Sequence, residues 1–289
     1  MENRIVKAYQ DDTLLRNSFN ELAEKTFGIN FEDWYQNGYW GKNYIPYSIL
    51  DKDRIVANVS VNVTDFVWNG ERKHFIQLGT VMTEETYRKK GLIRRLMQEI
   101  EKDYGKRAEG IYLFANDSVL DFYPRFGFQK ATEYQYSKQV HITEEKSVLQ
   151  VPMQEKKDWK LLEKAISLSV NNSCFEMVDN TGLIMFYVTK FMQENVFYLE
   201  ELNTYVIAEI EGNDLLIHNV FSETLVDLEE VIKAFGKGIK KVTLGFTPQD
   251  AENYIYTEMR QEDTTLFVKG KGFEAFGGSK IMFPTLSHA

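Results

Sequence analysis

Arg88 to Ile93, read Arg-Lys-Lys-Gly-Leu-Ile, follows an apolar run (Phe75, Ile76, Leu78, Val81) and opens a segment whose apolar residues Leu92, Ile93, Leu96, Met97 and Ile100 recur at helical spacing. A strand, a glycine-containing turn and a helix in that order suit the binding of phosphate. The first turn of a helix presents backbone N–H groups with no intrahelical partner, at the positive end of the helix dipole. Arg88, Lys89, Lys90, Arg94 and Arg95 surround those groups with positive charge, so a pyrophosphate is the expected occupant.

The elements that must hold this turn are legible on both sides of it. Arg4 to Tyr9 alternates as a short strand. Asp11-Asp12-Thr13 caps a helix with apolar positions Leu14, Leu15, Phe19, Leu22 and Ala23, and a second helix is predicted near Phe31 to Gln36. Strands are predicted at Tyr47–Leu50, Ile55–Val67 and Lys73–Thr83; Asn69-Gly70 joins the last two, because both residues tolerate the positive φ of a two-residue hairpin. After the helix that starts at Leu92 come a buried strand at Ile111–Ala115, a short helix at Ser118–Tyr123 stopped by Pro124, and one or two strands from Phe128 to Val140.

His141 to Lys157 is polar and reads as a connector. Beyond it the order loosely repeats. Helices are predicted at Trp159–Val170 and Leu183–Met192, then strands at Val196–Leu199, Tyr205–Ile210 and Leu215–Phe221. Helix Leu228–Phe235, strand Val242–Phe246, a helix near Asp250–Met259 and strands Thr265–Lys269 and Lys280–Phe283 complete the chain, with Gly212-Asn213 as a second hairpin signal. Two copies of one fold, residues 1–142 and 143–289, are the simplest account.

A chain of 289 residues suffices for two domains that each bury a core. The formal net charge of −9, from 34 basic and 43 acidic side chains, argues against nucleic-acid and anionic-membrane binding; the basic cluster is local and serves a small anion. Cys174 is the single cysteine, which excludes an intrachain disulfide and speaks against a cysteine metal site. Met1 to Val6 lacks a hydrophobic signal core, and no run reaches the roughly 18 apolar residues of a membrane span, so a cytoplasmic location is expected. His74, His141 and His218 show no metal-ligand spacing and are expected to be structural.

A second block, Asn116-Asp117-Ser118-Val119-Leu120-Asp121-Phe122-Tyr123-Pro124-Arg125-Phe126-Gly127-Phe128, follows the turn. In this order the two blocks resemble the GNAT superfamily of acetyl-CoA-dependent N-acetyltransferases, whose signature is a strand, Arg/Gln-x-x-Gly-x-Gly/Ala and a helix, then Asn-x-x-Ala-x-x-Phe-Tyr-x-x-x-Gly-Phe. Ile93 stands where the first motif usually ends in a small residue. Gly79-Thr80-Val81-Met82-Thr83, with Tyr87-Arg88 and Gly91-Leu92, is also similar to the two-domain acetyltransferases of the enhanced-intracellular-survival group.

The resemblance covers about residues 4–140 and implies an α+β fold, a mixed sheet splayed between two central strands to admit acetyl-CoA. It implies that backbone N–H groups of Arg88, Lys89, Lys90, Gly91, Leu92 and Ile93 cradle the pyrophosphate. Val81, Met82 and Thr83 would offer main-chain groups to the pantetheine and to the thioester carbonyl, Asn116 would bond the pantetheine arm, and Tyr123 would protonate the departing thiolate. Trp34, Tyr35, Tyr39 and Trp40 fall where the family binds its acceptor. In the survival group the terminal carboxylate enters the catalytic cleft, which would make Ala289 a base.

The implied reaction is direct attack of a primary amine, on a small molecule or a peptide, upon acetyl-CoA in a ternary complex. It needs positioning, an oxyanion donor and an acid, and no metal. The position that some members fill with a carboxylate base falls on Gln77, which cannot ionise, leaving Glu84, Glu85, His74 or water. In the second half the turn after Val220 reads Phe221-Ser222-Glu223-Thr224-Leu225-Val226-Asp227-Leu228, acidic and without glycine, so this half is expected to be a degenerate GNAT-like domain that binds no coenzyme A. The alternative from another class is a non-catalytic acyl-CoA-binding sensor or interaction protein. A homo-oligomer is left open.

Overall fold

The structure, a computed structural model, describes residues 4–170 and 172–288. The first part of the chain forms β1 (Arg4–Lys7), α1 (Thr13–Phe27), α2 (Glu32–Gln36), β2 (Tyr44–Asp51), β3 (Arg54–Trp68), β4 (Glu71–Thr83), α3 (Leu92–Tyr104), β5 (Gly110–Ala115), β6 (Gln129–Lys130) and β7 (Tyr134–Gln139). It continues with β8 (Leu149–Gln150), α4 (Lys156–Leu168), β9 (Phe175–Val178), α5 (Thr181–Phe191), β10 (Val196–Leu199), β11 (Thr204–Glu211), β12 (Asp214–Phe221), α6 (Leu228–Lys233), β13 (Lys241–Leu244), β14 (Ile255–Glu258) and β15 (Thr265–Lys269).

Two mixed sheets result. The first runs β1-β2-β3-β4-β5-β15-β6, with β9 on the end of β3 that projects beyond β2; the second runs β14-β7-β13-β12-β11-β10-β8. Each contains one parallel pair, β4/β5 and β12/β13, bridged by a helix, α3 and α6 respectively. This is the tandem α+β arrangement that the sequence predicts. The expected boundary between residues 142 and 143 is nevertheless crossed three times, since β9 and β15 enter the first sheet while β7 enters the second.

Alternation along β3 gives the first sheet two unlike faces. Ala57, Val59, Val61, Ile76, Leu78, Ile111 and Leu113 pack beneath Leu92, Leu96, Met97 and Ile100 of α3. The opposite face carries the buried polar residues Asn58, Ser60, Asn62, Thr64 and Gln77, an unusual load that points to a purpose other than packing. Farther along that face an aromatic core (Phe66, Phe75, Tyr112, Phe175, Phe273, Phe283) draws on both halves of the chain and locks them together.

Four local expectations change. Asp250–Met259 is a turn followed by β14, whose Tyr256 ring meets Tyr134 and Tyr136 across the strand pair at 5.8 and 5.9 Å, so β-branched and aromatic packing overrides the helical spacing. Ser118–Tyr123 is not an α-helix: short 3-10 turns occupy Asp117–Val119 and Tyr123–Phe126. Lys280–Phe283 lies outside any strand, and β9 is a strand that the sequence reading did not anticipate. Among the described residues, no helix is long and apolar enough to cross a membrane.

Candidate active site

A 3-10 turn at Glu85–Tyr87 carries the chain from β4 into the basic loop. Lys89 (φ 63°) and Gly91 (φ 74°) both adopt the left-handed conformation that swings the chain into α3. Gly91 is exposed and a Cβ on it would touch nothing, so the backbone angle, not crowding, asks for glycine. The N–H of Arg88 bonds to the Glu85 carbonyl at 3.2 Å, which withdraws it from the cradle expected for it. No N–H from Lys89 to Arg94 has a protein partner among the described residues, and α3 has no side-chain cap. Ile93 packs its side chain against the α3 core.

Immediately before this loop the sheet opens. Parallel pairing of β4 with β5 ends at Leu78 with Leu113, so among the described residues Gly79 to Thr83 have no strand partner on that side; β5 gives its other edge to β15. On the β3 side, Ser60 faces Gly79 and Asn58 faces Met82, which leaves one extra residue in β4. Thr80 absorbs it at φ 47°, a left-handed setting that costs a non-glycine residue about 1–2 kcal/mol. Tyr44 hydrogen-bonds the Thr80 hydroxyl, and Asn58 Nδ2 donates to the Thr80 carbonyl at 2.9 Å. Val81, Met82 and Thr83 belong to this stretch of β4 beyond the pairing with β5, the Met82 side chain being buried against α1, and sequence reasoning missed the bulge because it arises only from pairing with β3.

Asn116 stands exposed at the end of β5, and its side chain makes no capping bond. Tyr123 is buried among Phe122, Phe128 and Phe267, the last supplied by β15 at 5.7 Å between ring centres. Burial pushes its phenol up to about 12, and its hydroxyl has no hydrogen bond among the described residues.

On the polar face, Asn180 Nδ2 donates to Asn62 Oδ1 at 3.2 Å and Asn62 Nδ2 to Gln77 Oε1 at 3.3 Å, leaving Gln77 Nε2 buried without a protein partner. His288 stacks on Phe114 of β5 with ring centres 3.7 Å apart, and its Nε2 likewise has no partner among the described residues. Burial holds that imidazole down at about 4, against the pull of the Phe283 carbonyl. Neither His74 nor Glu84 reaches the opening as a free base. His74 Nδ1 lies 2.6 Å from Asp65 at the far end of β4; Glu84 pairs with Lys25, which lowers its pKa. Ala289 lies outside the described residues.

A cavity of about 680 Å³ lies between the α2–β2 segment and α5, lined by Trp34, Tyr39, Tyr44, Asp65, Asp179 and Asn180 among others. Of the aromatic quartet expected to meet an acceptor, Trp34 and Tyr39 line it. Trp40 is instead buried and donates to the Tyr44 carbonyl at 3.0 Å; Tyr35 lies under the Arg16 guanidinium and bonds Asp11. Neither of these two lines the cavity. Among the described residues no cluster of His, Cys, Asp or Glu is arranged for a metal.

The corresponding place in the second sheet is closed. Asp227 caps α6 by accepting the Glu229 N–H at 2.9 Å, so the helix start already holds an anion of its own. Where β12 and β13 part, the tail enters: Thr285 donates its N–H to the Gly245 carbonyl at 2.8 Å and meets His218 Nδ1 through its hydroxyl at 2.8 Å.

Residues 11–131 match the family model described as an acetyltransferase (GNAT) domain. A probable N-acyltransferase from Enterococcus faecalis V583, itself described as a conserved protein of unknown function, is similar over 96% of this chain and 74% of its own, with 16% identity and a TM-score of 0.65. A GCN5-related N-acetyltransferase from Kribbella flavida aligns over 95% and 73% with 16% identity and a TM-score of 0.57. Eis1 from Mycobacterium abscessus aligns over 92% and 72% with 12% identity and a TM-score of 0.53. At these identities the likeness is one of fold. No curated protein matches the sequence.

Proposed function

We propose that this chain, whose residues 11–131 match the acetyltransferase (GNAT) domain model, is an acyltransferase that transfers the acetyl group of acetyl-CoA to a primary amine in a ternary complex. One observation carries the reading: the β4 edge from Gly79 to Thr83, unpaired among the described residues, runs directly into a loop whose N–H groups from Lys89 to Arg94 lack partners there too. A thioester on a long arm that ends in a pyrophosphate matches that sequence of features. The loop and Lys89, Lys90 and Arg94 hold the pyrophosphate, Gly79 to Thr83 pair with the pantetheine as an added strand, and Asn116 bonds the arm from the β5 side.

The amine nitrogen attacks the thioester carbonyl and forms the new C–N bond. The carbonyl oxygen takes the developing charge and is met by a backbone N–H of Val81 or Met82, beside the Thr80 bulge. The C–S bond then breaks, the nitrogen gives its proton to water, and coenzyme A leaves as a thiolate that Tyr123 hydrogen-bonds. The amine body sits in the cavity walled by Trp34 and Tyr39, where aromatic faces and the nearby carboxylates suit a cationic small molecule or peptide. The second half binds no coenzyme A, consistent with its capped helix and occupied opening. A cytoplasmic location accords with the co-substrate.

Incubation with acetyl-CoA and a panel of primary amines, with thiol release as the readout, tests the proposal. Turnover with at least one amine is expected. Tight coenzyme A binding without turnover across the panel would favour an acyl-CoA sensor instead.

A further inference from the structure

The Thr80 bulge is fastened from beneath by a buried chain of side chains, and we infer that Asn58 is a positioning residue whose bond to the Thr80 carbonyl aims the Val81 N–H at the acyl carbonyl. The inference rests on the acetyl-transfer reading above. It identifies which of the two bulge N–H groups acts and what holds it in place.

The orientation of Asn58 follows from its partners. It is wholly buried, and its side-chain nitrogen lies 2.9 Å from both the Thr80 carbonyl and Ser60 Oγ. A carbonyl only accepts, so the NH2 end of the amide must face Thr80. Its Oδ1 therefore faces Ser48, whose hydroxyl donates to it at 2.7 Å. Having spent its proton, Ser48 accepts from the Tyr9 hydroxyl at 2.6 Å. The directed chain runs from Tyr9 to Ser48 to Asn58, all three buried, and ends on the carbonyl of the half-buried Thr80.

The consequence for the cleft is geometric. Across a trans peptide the C=O and the following N–H point in opposite directions. Asn58 belongs to β3, so the Thr80 carbonyl is held toward β3, and the Val81 N–H of the same peptide is directed away, toward β5 and the opening. A threonine in the left-handed region would leave that setting if its carbonyl were released. Three side chains on β3, β2 and the segment after β1 thus fix one main-chain donor that none of them touches directly on its cleft side.

The test uses the full chain with [1-13C]acetyl-CoA and isotope-edited infrared spectroscopy, together with steady-state kinetics on the fastest amine of the panel. In the unaltered protein the thioester carbonyl band of the bound cofactor should lie below its position in water. Asn58→Ala should return the band toward the solution value and lower kcat about 10- to 100-fold, with the KM for acetyl-CoA changed less than about twofold, since the phosphate loop is untouched. Ser48→Ala, a milder change kept in case Asn58→Ala does not fold, should move the band part of the way and cost less activity. A folded Asn58→Ala, or a Ser48→Ala, with both band and kcat unchanged would overturn the inference. Failure of the unaltered protein to bind acetyl-CoA would instead sink the acetyl-transfer reading, and this inference with it.

Discussion

Replacing Tyr123 with phenylalanine isolates one hydroxyl. The ring keeps its contacts with Phe122, Phe128 and Phe267, so packing is preserved and only the donor is lost. Burial sets the phenol at about 12. A free thiol titrates near 8.5, and the gap of about 3.5 makes complete proton transfer to the thiolate uphill by about 5 kcal/mol. On the proposed reading Tyr123 therefore acts by a hydrogen bond to the charged leaving sulfur, worth about 1.5–3 kcal/mol, and not by full transfer. Tyr123→Phe should lower kcat about 10- to 100-fold while the KM for acetyl-CoA stays near its original value. Because the phenol remains protonated through the physiological range, kcat of the unaltered protein should show no descending limb between pH 7 and about 10. Steady-state kinetics across that range, with melting curves as the folding control, provide the check. Undiminished kcat in Tyr123→Phe would refute the role; a fall in kcat with an apparent pKa near 9 would refute the reasoning from burial.

Three further outcomes follow from other parts of the molecule. Gly91→Ala places a Cβ in open space but at φ 74°, so it should cost about 1–2 kcal/mol through strain alone, read as a lower denaturation midpoint or as roughly 5- to 30-fold weaker coenzyme A binding by calorimetry. Glu133 is buried against the Phe283 N–H, and burial raises its carboxyl to about 8 from an ordinary value of 4.5. A pKa raised on folding stabilises the native state fully below about 4.5, and that contribution is lost as pH climbs through 8, by up to about 5 kcal/mol. Glu133→Gln should therefore gain on the parent in urea unfolding at pH 9 but not at pH 5; equal gains at both would contradict the burial argument. Phe267→Ala removes a fully buried ring from behind Tyr123 and should cost about 3–5 kcal/mol of stability, with turnover falling as well.

Much of this was readable in the chain because it is local. Asn69 and Gly70 take the positive φ values that their residue types favour, and the hairpin closes with Trp68 opposite Glu71. The stripe Leu92, Leu96, Met97, Ile100 is the buried face of α3. The loop read as a phosphate site has the free N–H groups that this reading needs, except at Arg88. What escaped is long-range. The bulge at Thr80 depends on register with Asn58, twenty-two positions earlier. The strands β9 and β15 join a sheet whose other members lie far from them in sequence, and no periodicity within Thr265–Lys269 says that its partner is Ala115. The aromatic quartet divided for the same reason. Trp34 and Tyr39 differ from Tyr35 and Trp40 only in where α2 and its following loop are docked against α5, through the bond from Trp34 Nε1 to the Gly182 carbonyl at 2.7 Å.

The late arrival of β15 has a consequence for synthesis. A ribosome that has just released residue 142 has delivered the basic loop, Tyr123 and β5, but the outer edge of β5 still lacks the strand that will cover it. At about 5–20 residues per second, β15 follows only after roughly 6–25 seconds. During that interval the nascent sheet exposes an unsealed flank able to recruit a foreign strand, so in the cell this protein should lean on chaperones, and a fragment ended before Thr265 should aggregate rather than work as a minimal enzyme.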